Sequence, residues 1–338
     1  MLDWNLVRPS PRTKFFNSMR EACMAIGVDG SRPLRGNSRA DLVNDPRGRG
    51  DASIRQHSDG RGGCVYNHKS GDCALWRDDA GERLSPEESK RRKAEAFKRM
   101  EAERAAANEA AMFAHETALY CRMLGRETLE HAYLRRKHIA GVRPFLEADV
   151  DAINGLFADR GYRSKRTGRL LRLATSDGLL TGPVLLIPMV IGAQLVTMEF
   201  ISESGSKCFL KGGPTTGAYW LSRPAAQYET PPRIAIAEGV ATALSVDIAT
   251  GIPSIAAMSA GNLGPVAAYW RRRLPYADIV ICSDIGNGER QAMEAARAAR
   301  ARLAKPEFTP ELIAAFEAVT GGKNPTDMND YYIAKGTI

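Results

Sequence analysis

The sequence has 338 residues, which is enough for about two domains of ordinary size. Its 44% hydrophobic and 25% charged residues are typical of a soluble globular protein, and no apolar run approaches the roughly 18 residues of a membrane-spanning helix. The N-terminus lacks the basic and then apolar order of a signal peptide, and the six cysteines form no C-x-x-C pair, so we expect a reduced, cytoplasmic setting. A net charge of +8 and a pI near 9.2 favour a polyanionic partner such as nucleic acid.

Residues 1–83 are predicted to form a small N-terminal domain with a β-hairpin. This domain is also a candidate for nucleic-acid binding. Two short alternating runs on either side of the turn at residues 69–72 indicate the hairpin. Two cysteines and two histidines lie in or near it: Cys64, Cys73, His57 and His68. Because their spacing does not match the paired ligands of zinc ribbons or fingers, we do not expect zinc.

Residues 84–127 are predicted to form one long charged helix that acts as a linker. Ser85 and Glu88 make a capping box around Pro86 at the first turn, and Gly125 can end the helix after Leu124. Charged residues lie on almost every face of its first half, which predicts that this part of the helix is mostly solvated.

Residues 128–230 are predicted to form a basic α+β subdomain. A dense run of basic residues without matching acids favours contact with phosphate groups, and its members are Arg160, Arg163, Lys165, Arg166, Arg169 and Arg172. Residues 182–222 then read as successive strands, with turns at Gly192, Gly205 and the pair Gly212-Gly213.

Residues 231–338 alternate between strands and helices, which predicts a parallel sheet covered by helices. The predicted strands are residues 233–237, 254–259 and 278–282, and the predicted helices are residues 242–250, 262–274 and 289–304. Glu238 with Gly239 follows the first strand, and Asp284 follows the third. Ligands of such sheets bind beyond the carboxyl ends of the strands, and two carboxylates there suit Mg²⁺ or Mn²⁺.

This C-terminal stretch resembles the Toprim domain, the metal-dependent module shared by DnaG-type primases, topoisomerases and some nucleases. EGVATALS resembles its Glu-Gly element, and VICSDIGNG resembles its Asp-x-Asp element, except that Gly286 stands where the second aspartate belongs. TDMNDYY is similar to the D-x-N-D near the end of plasmid and phage primase Toprim domains. By that resemblance Asp327 and Asp330 are further metal-ligand candidates beside Glu238 and Asp284, although either could instead cap the last helix.

A second resemblance lies upstream, where KCFLKGGPTTGAYW is similar to a lysine-bearing strand of plasmid and phage primases. It implies that Lys207 faces the template or nucleotide, with Lys211 as a secondary candidate. It also implies that Gly212 and Gly213 allow close approach of the backbone.

The two resemblances together imply an α/β Toprim primase with a Rossmann-like C-terminal domain. Such an enzyme makes short RNA primers on single-stranded DNA from nucleoside triphosphates, as a nucleotidyltransferase of plasmid or phage DNA replication, with Glu238 and Asp284 as catalytic residues and Mg²⁺ or Mn²⁺ as cofactor. Since no G-x-x-x-x-G-K-[S/T] loop occurs, we expect a separate replicative helicase as partner. Two alternatives remain open: a Toprim nuclease, and a non-catalytic single-stranded DNA-binding protein, which the glycine at position 286 favours.

Overall fold

The computed structural model describes residues 14–31, 38–44, 51–56, 62–68, 72–77, 85–164, 168–175, 177–286 and 288–337. The α-helices in these ranges are α1 Met19–Ala25, α2 Pro86–Leu124, α3 Ala132–Arg136, α4 Val150–Asp159, α5 Val240–Thr250, α6 Leu263–Arg273, α7 Glu289–Ala298, α8 Pro310–Thr320 and α9 Met328–Thr337. Two compact units, residues 1–98 and 99–338, divide within α2. None of the helices in the described ranges is both long enough and apolar enough to cross a membrane.

The β-strands carry the sheets of both units. Those of the first unit are β1 Lys14–Phe16, β2 Ser38–Ala40, β3 Ala52–Gln56, β4 Gly62–Asn67 and β5 Cys73–Arg77. Those of the second unit are β6 Arg126–Thr128, β7 Phe145–Asp149, β8 Ala174–Thr175, β9 Gly178–Leu179, β10 Pro183–Ile191, β11 Gln194–Ser202, β12 Lys207–Phe209, β13 Trp220–Leu221, β14 Arg233–Ala237, β15 Ser254–Ala256, β16 Asp278–Cys282 and β17 Arg302–Ala304.

The first unit is a five-stranded sheet in the order β1-β5-β4-β3-β2, covered by α1. Strands β4 and β5 pair antiparallel, as expected for the two strands of the predicted hairpin. Its small core joins the buried Cys23 of α1 to Ile54, Val65 and Trp76 of the sheet. His57 and residues 69–71 lie outside the described residues.

Helix α2 begins as its capping residues predict, since the Glu88 backbone N–H donates to Ser85 Oγ at 3.2 Å. Its C-terminal part belongs to the second unit and buries Ala114, Ala118 and Cys121 against α4 and the second sheet. The N-terminal half exposes Phe97 and Met100. One helix therefore changes from a solvated rod to a packed element along its length.

The second unit contains an antiparallel sheet in the order β12-β11-β10-β7-β6. Strands β10 and β11 form its centre and pair from Val184 opposite Ser202 to Ile191 opposite Gln194. Strand β13 leaves this sheet and pairs with β15 instead, Trp220 lying opposite Ala256. The last residues of the run of strands predicted for residues 182–222 thus belong to the sheet of the C-terminal part.

The Toprim-like sheet has the order β13-β15-β14-β16-β17, and its last four strands are parallel. Ile234 and Ile236 pack with α6 and α7 on one face, whereas Ala235 and Ala237 pack with α5 on the other. The predicted α/β fold class, with a Rossmann-like C-terminal sheet preceded by an α+β part, a long helix and a small N-terminal domain, is confirmed. One hydrophobic core joins residues of the 128–230 part to those of 231–338.

The helix predicted for residues 289–304 is wrong at its C-terminal end. Helix α7 stops at Ala298, and Arg300 adopts a left-handed backbone with φ of +50°. Residues Arg302–Ala304 then form β17, whose Leu303 pairs with Ile281 of β16. Residues 302–304 form a strand because they pair with the open edge of β16, and the local periodicity of the sequence contains no signal for such pairing.

Candidate functional site

Two of the predicted acids follow neighbouring parallel strands. Glu238 comes directly after β14, and Asp284 lies two residues after β16, while Ile236 and Ile281 pair in register between the strands. Both carboxylates therefore stand at the carboxyl edge of the sheet, where open α/β sheets bind ligands.

A third carboxylate reaches this edge from the start of α9. The Ile285 backbone N–H donates to the Thr326 carbonyl at 2.7 Å, which joins the loop after β16 to the segment before α9. Asp327 Oδ1 accepts the Asp330 N–H at 2.8 Å, so Asp327 caps the helix while it faces the cluster. Asp330 Oδ2 in turn accepts the Thr326 N–H at 2.9 Å.

The carboxylates act on one another electrostatically. Burial first, and then the charges of Asp327, Glu238 and Asp330, together raise the pKa of Asp284 to about 7. Burial also raises the pKa of Glu238 and of Asp327, with opposing contributions from nearby lysines. Charges that raise each other's pKa in this way are stabilised by a cation between them.

The donor set fits a hard divalent cation. Asp284 Oδ1 is buried without a hydrogen-bond partner in the described part of the chain, and carboxylate oxygen is the donor that Mg²⁺ and Mn²⁺ prefer. Within the described ranges, no group of three or more His, Cys, Asp or Glu side chains is already arranged as a metal centre. Glu238, Asp284 and Asp327 would therefore have to draw together around the ion.

Lys207 lies beside this cluster, although its side chain reaches it from the antiparallel sheet. Its Nζ is 3.9 Å from the position of a Cβ built on Gly239 and 5.8 Å from the centre of the Tyr133 ring. Burial of the ammonium opposes its charge, but Tyr133, Glu199 and Glu238 outweigh that effect and raise the pKa of Lys207. The residue as a whole is exposed, although Glu199 and Glu238 act electrostatically on its ammonium group.

Glu199 is a site neighbour that the sequence did not suggest. It lies in β11 opposite Phe209, on the face that Lys207 shares, and only 3% of it is exposed. Burial raises its pKa to about 7 against the lowering effect of Lys207, and its Oε2 has no hydrogen-bond partner within the residues described. Its only signal in the sequence is an acid within an otherwise apolar strand.

Lys137 is a second residue that the sequence analysis missed. It follows α3, more than a hundred residues before the acids, and its Nζ lies 3.6 Å from Asp330 Oδ1. The sequence offers only a basic segment, HAYLRRKHIAG, with no spacing that links it to the Toprim-like motifs.

The other basic candidates lie elsewhere. Arg163 and Lys211 line a cavity of about 690 Å³ beside Phe113 of α2, and both are exposed, as is Arg169. Lys165 and Arg166 lie outside the described residues. Lys207 and Lys211 therefore lie in different surroundings, although only four positions separate them.

The glycines predicted to admit a close ligand differ from one another. A Cβ on Gly213 would come within 2.6 Å of Thr197 Cβ, and one on Gly212 within 3.1 Å of the Ala110 carbonyl oxygen. At both positions the absence of a side chain therefore lets other segments of the protein itself lie close to the backbone. Gly239 has room for a methyl group, with its nearest neighbour at 3.9 Å.

Gly286, at the position of the absent second aspartate, has a left-handed backbone with φ of +83° and nothing within 4 Å of a built Cβ. Gly288 is tighter, because its Cβ would lie 3.1 Å from Glu238 Oε2. The loop after β16 thus uses glycine both for its turn and for approach to Glu238.

Residues 233–337, which contain the parallel sheet and the acids at its edge, match the Toprim domain family. The chain is similar to a DNA primase TraC of Escherichia coli, with 27% identity over 316 residues that cover 89% of this chain and 20% of the relative. A second DNA primase TraC of Escherichia coli is 32% identical over 124 residues, covering 34% of this chain and 12% of the relative. The chain thus spans about a fifth or less of the length of these relatives.

Among solved structures, a chain from bacteriophage T7 lagging-strand DNA polymerase interacting with primase domains of two gp4 subunits, bound to an RNA/DNA hybrid and dTTP, gives 12% identity and a TM-score of 0.27. The match covers 37% of this chain and 66% of that chain.

Proposed function

We propose that this chain is a DNA primase that makes short RNA primers on single-stranded DNA by metal-dependent nucleotidyl transfer, in plasmid or phage replication or transfer. The observation that carries the proposal is the meeting of Glu238, Asp284 and Asp327 at one sheet edge, with the Lys207 ammonium beside Glu238. The similarity of 89% of the chain to one DNA primase TraC, at 27% identity, supports the same conclusion.

Nucleotidyl transfer asks a protein mainly for positioning and for compensation of negative charge. A bound Mg²⁺ or Mn²⁺ would supply the neutralisation of triphosphate charge and stabilise the leaving pyrophosphate. Asp284 would be the principal ligand, with Glu238 and Asp327 assisting, and Glu238 would also accept the proton of a primer 3′-hydroxyl. The Lys207 ammonium group would bind a phosphate group of the nucleotide or template next to the metal site.

The template strand would lie along exposed basic residues of the 128–230 part. Arg163, Arg169 and Lys211 are exposed, and Lys165 with Arg166 belongs to the same basic segment. The domain boundaries at residues 83, 127 and 230, the separate helicase partner and the cytoplasmic location remain predictions.

The test is primer synthesis on single-stranded DNA with labelled nucleotides and Mg²⁺ or Mn²⁺. We expect short products from the natural sequence and a loss of at least about a hundredfold in Glu238→Gln and in Asp284→Asn. Asp278→Asn is the matched control, because Asp278 begins the strand that Asp284 follows and is paired with Arg233 and Arg302 instead. Full synthesis by the Glu238 and Asp284 variants would contradict the proposal.

A non-catalytic single-stranded DNA-binding protein is the second candidate, and Gly286 is the observation that favours it. A side chain at position 286 would meet open space but would have to adopt the left-handed backbone, so we expect Gly286→Asp to lower stability while changing metal affinity and synthesis by less than about threefold. A large gain in synthesis would show that the absent aspartate limits the centre. DNA binding without any synthesis in either protein would favour the binding function.

A further inference from the structure

A lysine stands at the acidic cluster, on the side formed by α9. Lys137 Nζ is 3.6 Å from Asp330 Oδ1, and only 26% of the Lys137 side chain and 10% of the Asp330 side chain are exposed. The Lys137 charge also lowers the pKa of Asp284 and of Asp327, against the larger effect of burial. A fixed positive charge therefore compensates the acids on the α9 side.

Asn329 holds the backbone of this lysine. Its Nδ2 donates to the Lys137 carbonyl oxygen at 2.8 Å and to Ser245 Oγ of α5 at 2.8 Å, and Asn329 is completely buried. Because Asn329 and Asp330 are adjacent in α9, the same helix turn fixes both the main chain and the ammonium group of Lys137.

The residue after Lys137 fixes its direction further. His138 has a left-handed backbone with φ of +54°, which is uncommon for a residue other than glycine. This conformation ends α3 and lets the Ile139 N–H donate to the Leu134 carbonyl at 3.0 Å, with Ile139 buried in the core. The position of Lys137 is therefore set by backbone, packing and pairing together.

We propose that Lys137 is a built-in cation of the Toprim centre: it neutralises Asp330 on the α9 side, so that divalent metal is bound by Glu238, Asp284 and Asp327 and not by Asp330. The inference rests on the proposed function. Asp330, predicted from the sequence as a metal ligand, is then a positioning residue that holds Lys137. The physical reason is that an ammonium group and a divalent ion repel each other strongly when they share carboxylates a few ångströms apart.

Mn²⁺ binding to the whole chain, without DNA or nucleotide, tests the inference. Titration calorimetry and the electron paramagnetic resonance of free Mn²⁺ would compare the natural sequence with Lys137→Met, Lys137→Gln and Lys137→Arg. We expect Met and Gln to tighten binding by about tenfold or to admit one more ion, since repulsion is removed, and Arg to keep the natural value. Lys335→Met is the matched control, because Lys335 is an exposed lysine of α9, the helix that carries Asp330.

Unchanged affinity and stoichiometry in folded Lys137→Met and Lys137→Gln, as judged by circular dichroism, would overturn the inference while the proposed function stands. Mn²⁺ binding that is absent from the natural sequence, or insensitive to Glu238→Gln and Asp284→Asn, would overturn both. Because nucleotide is left out, contact between Lys137 and a triphosphate cannot produce the expected result.

Discussion

Burial has a larger effect on the Asp284 carboxyl than any single neighbouring charge. The unfolded chain releases this proton near the ordinary pKa of 3.8, whereas the folded chain holds it to about pH 7. Between these values the folded state binds more protons than the unfolded state, so the free energy of unfolding falls as pH rises. Above pH 7 the full cost of the buried charge is present unless a cation offsets it.

The first prediction concerns Asp284→Asn at pH 8 without divalent metal. The substitution should raise the melting temperature, by about 2–4 °C for each kcal/mol recovered, because it removes a charge that burial disfavours. It should also abolish most of the rise in melting temperature that Mg²⁺ gives the natural sequence.

Differential scanning calorimetry at pH 5 and pH 8, with and without Mg²⁺, measures both effects. Asp278→Asn serves as control, since its arginine partners lower the pKa of that carboxyl and predict no gain. A lower melting temperature for metal-free Asp284→Asn at pH 8 would show that Asp284 is already compensated by the protein.

The second prediction concerns the pair of Lys207 and Glu199. Lys207→Met should destabilise the protein by roughly 1–3 kcal/mol, because Glu199 is then buried without its cation. Adding Glu199→Gln should restore part of that loss, with a coupling energy of roughly 0.5–3 kcal/mol.

Urea unfolding of both single variants and the double variant gives the cycle. Lys211→Met is the control, because Lys211 is an exposed lysine two residues after β12. It should change the free energy of unfolding by less than about 0.5 kcal/mol. Additive effects of the two substitutions would mean that Glu199 and Lys207 do not interact.

At the scale of elements, close contacts between backbone segments position β12 and the loop after it. Gly213 lies against Thr197 and the Val196 carbonyl of β11, so the turn after the Lys207 strand depends on the absence of a side chain. Gly239 opens α5 with an extended backbone and free space around it. The two glycines look alike in the sequence but differ in what surrounds them.

The third prediction is therefore a contrast between Gly213→Ala and Gly239→Ala. The first should cost about 1–3 kcal/mol, because its methyl group would overlap Thr197 and its neighbour's carbonyl. The second should change stability by less than about 1 kcal/mol. Chemical denaturation measures both, and equal losses would contradict the contrast.

At the scale of the whole molecule, the net charge of +8 predicts how the chain binds DNA. If about five phosphates are contacted, affinity for single-stranded DNA should fall about a hundredfold between 50 and 200 mM salt. The fall comes from counterions that Lys and Arg displace from the strand.

The fourth prediction assigns part of this salt dependence to single residues. Arg163→Ala and Arg169→Ala should each reduce the slope of log affinity against log salt by about 0.7. Arg302→Ala is the matched control, because Asp278 already holds its guanidinium group. Fluorescence anisotropy on a labelled oligonucleotide measures the slopes, and affinity that hardly changes with salt would contradict the picture.

The sequence by itself determined the strands and the acids that follow them. Arg233–Ala237 and Asp278–Cys282 are short apolar runs ended by turn residues, and a parallel sheet brings whatever follows such runs to one edge. Glu238 and Asp284 could be predicted for that reason, and Asp327 through the resemblance of its segment. The capping of α2 by Ser85 was equally local.

The tertiary structure alone decided which distant residues complete the centre. Lys137 follows α3 and contacts Asp330 of α9, and Glu199 of β11 acts on Lys207 of the neighbouring strand. No periodicity or spacing in the sequence encodes such contacts. The same holds for β17, because residues 302–304 continue a helical pattern in the sequence but form a strand by pairing with the edge of β16. Local patterns fix what each segment can form, whereas long-range packing fixes what it meets.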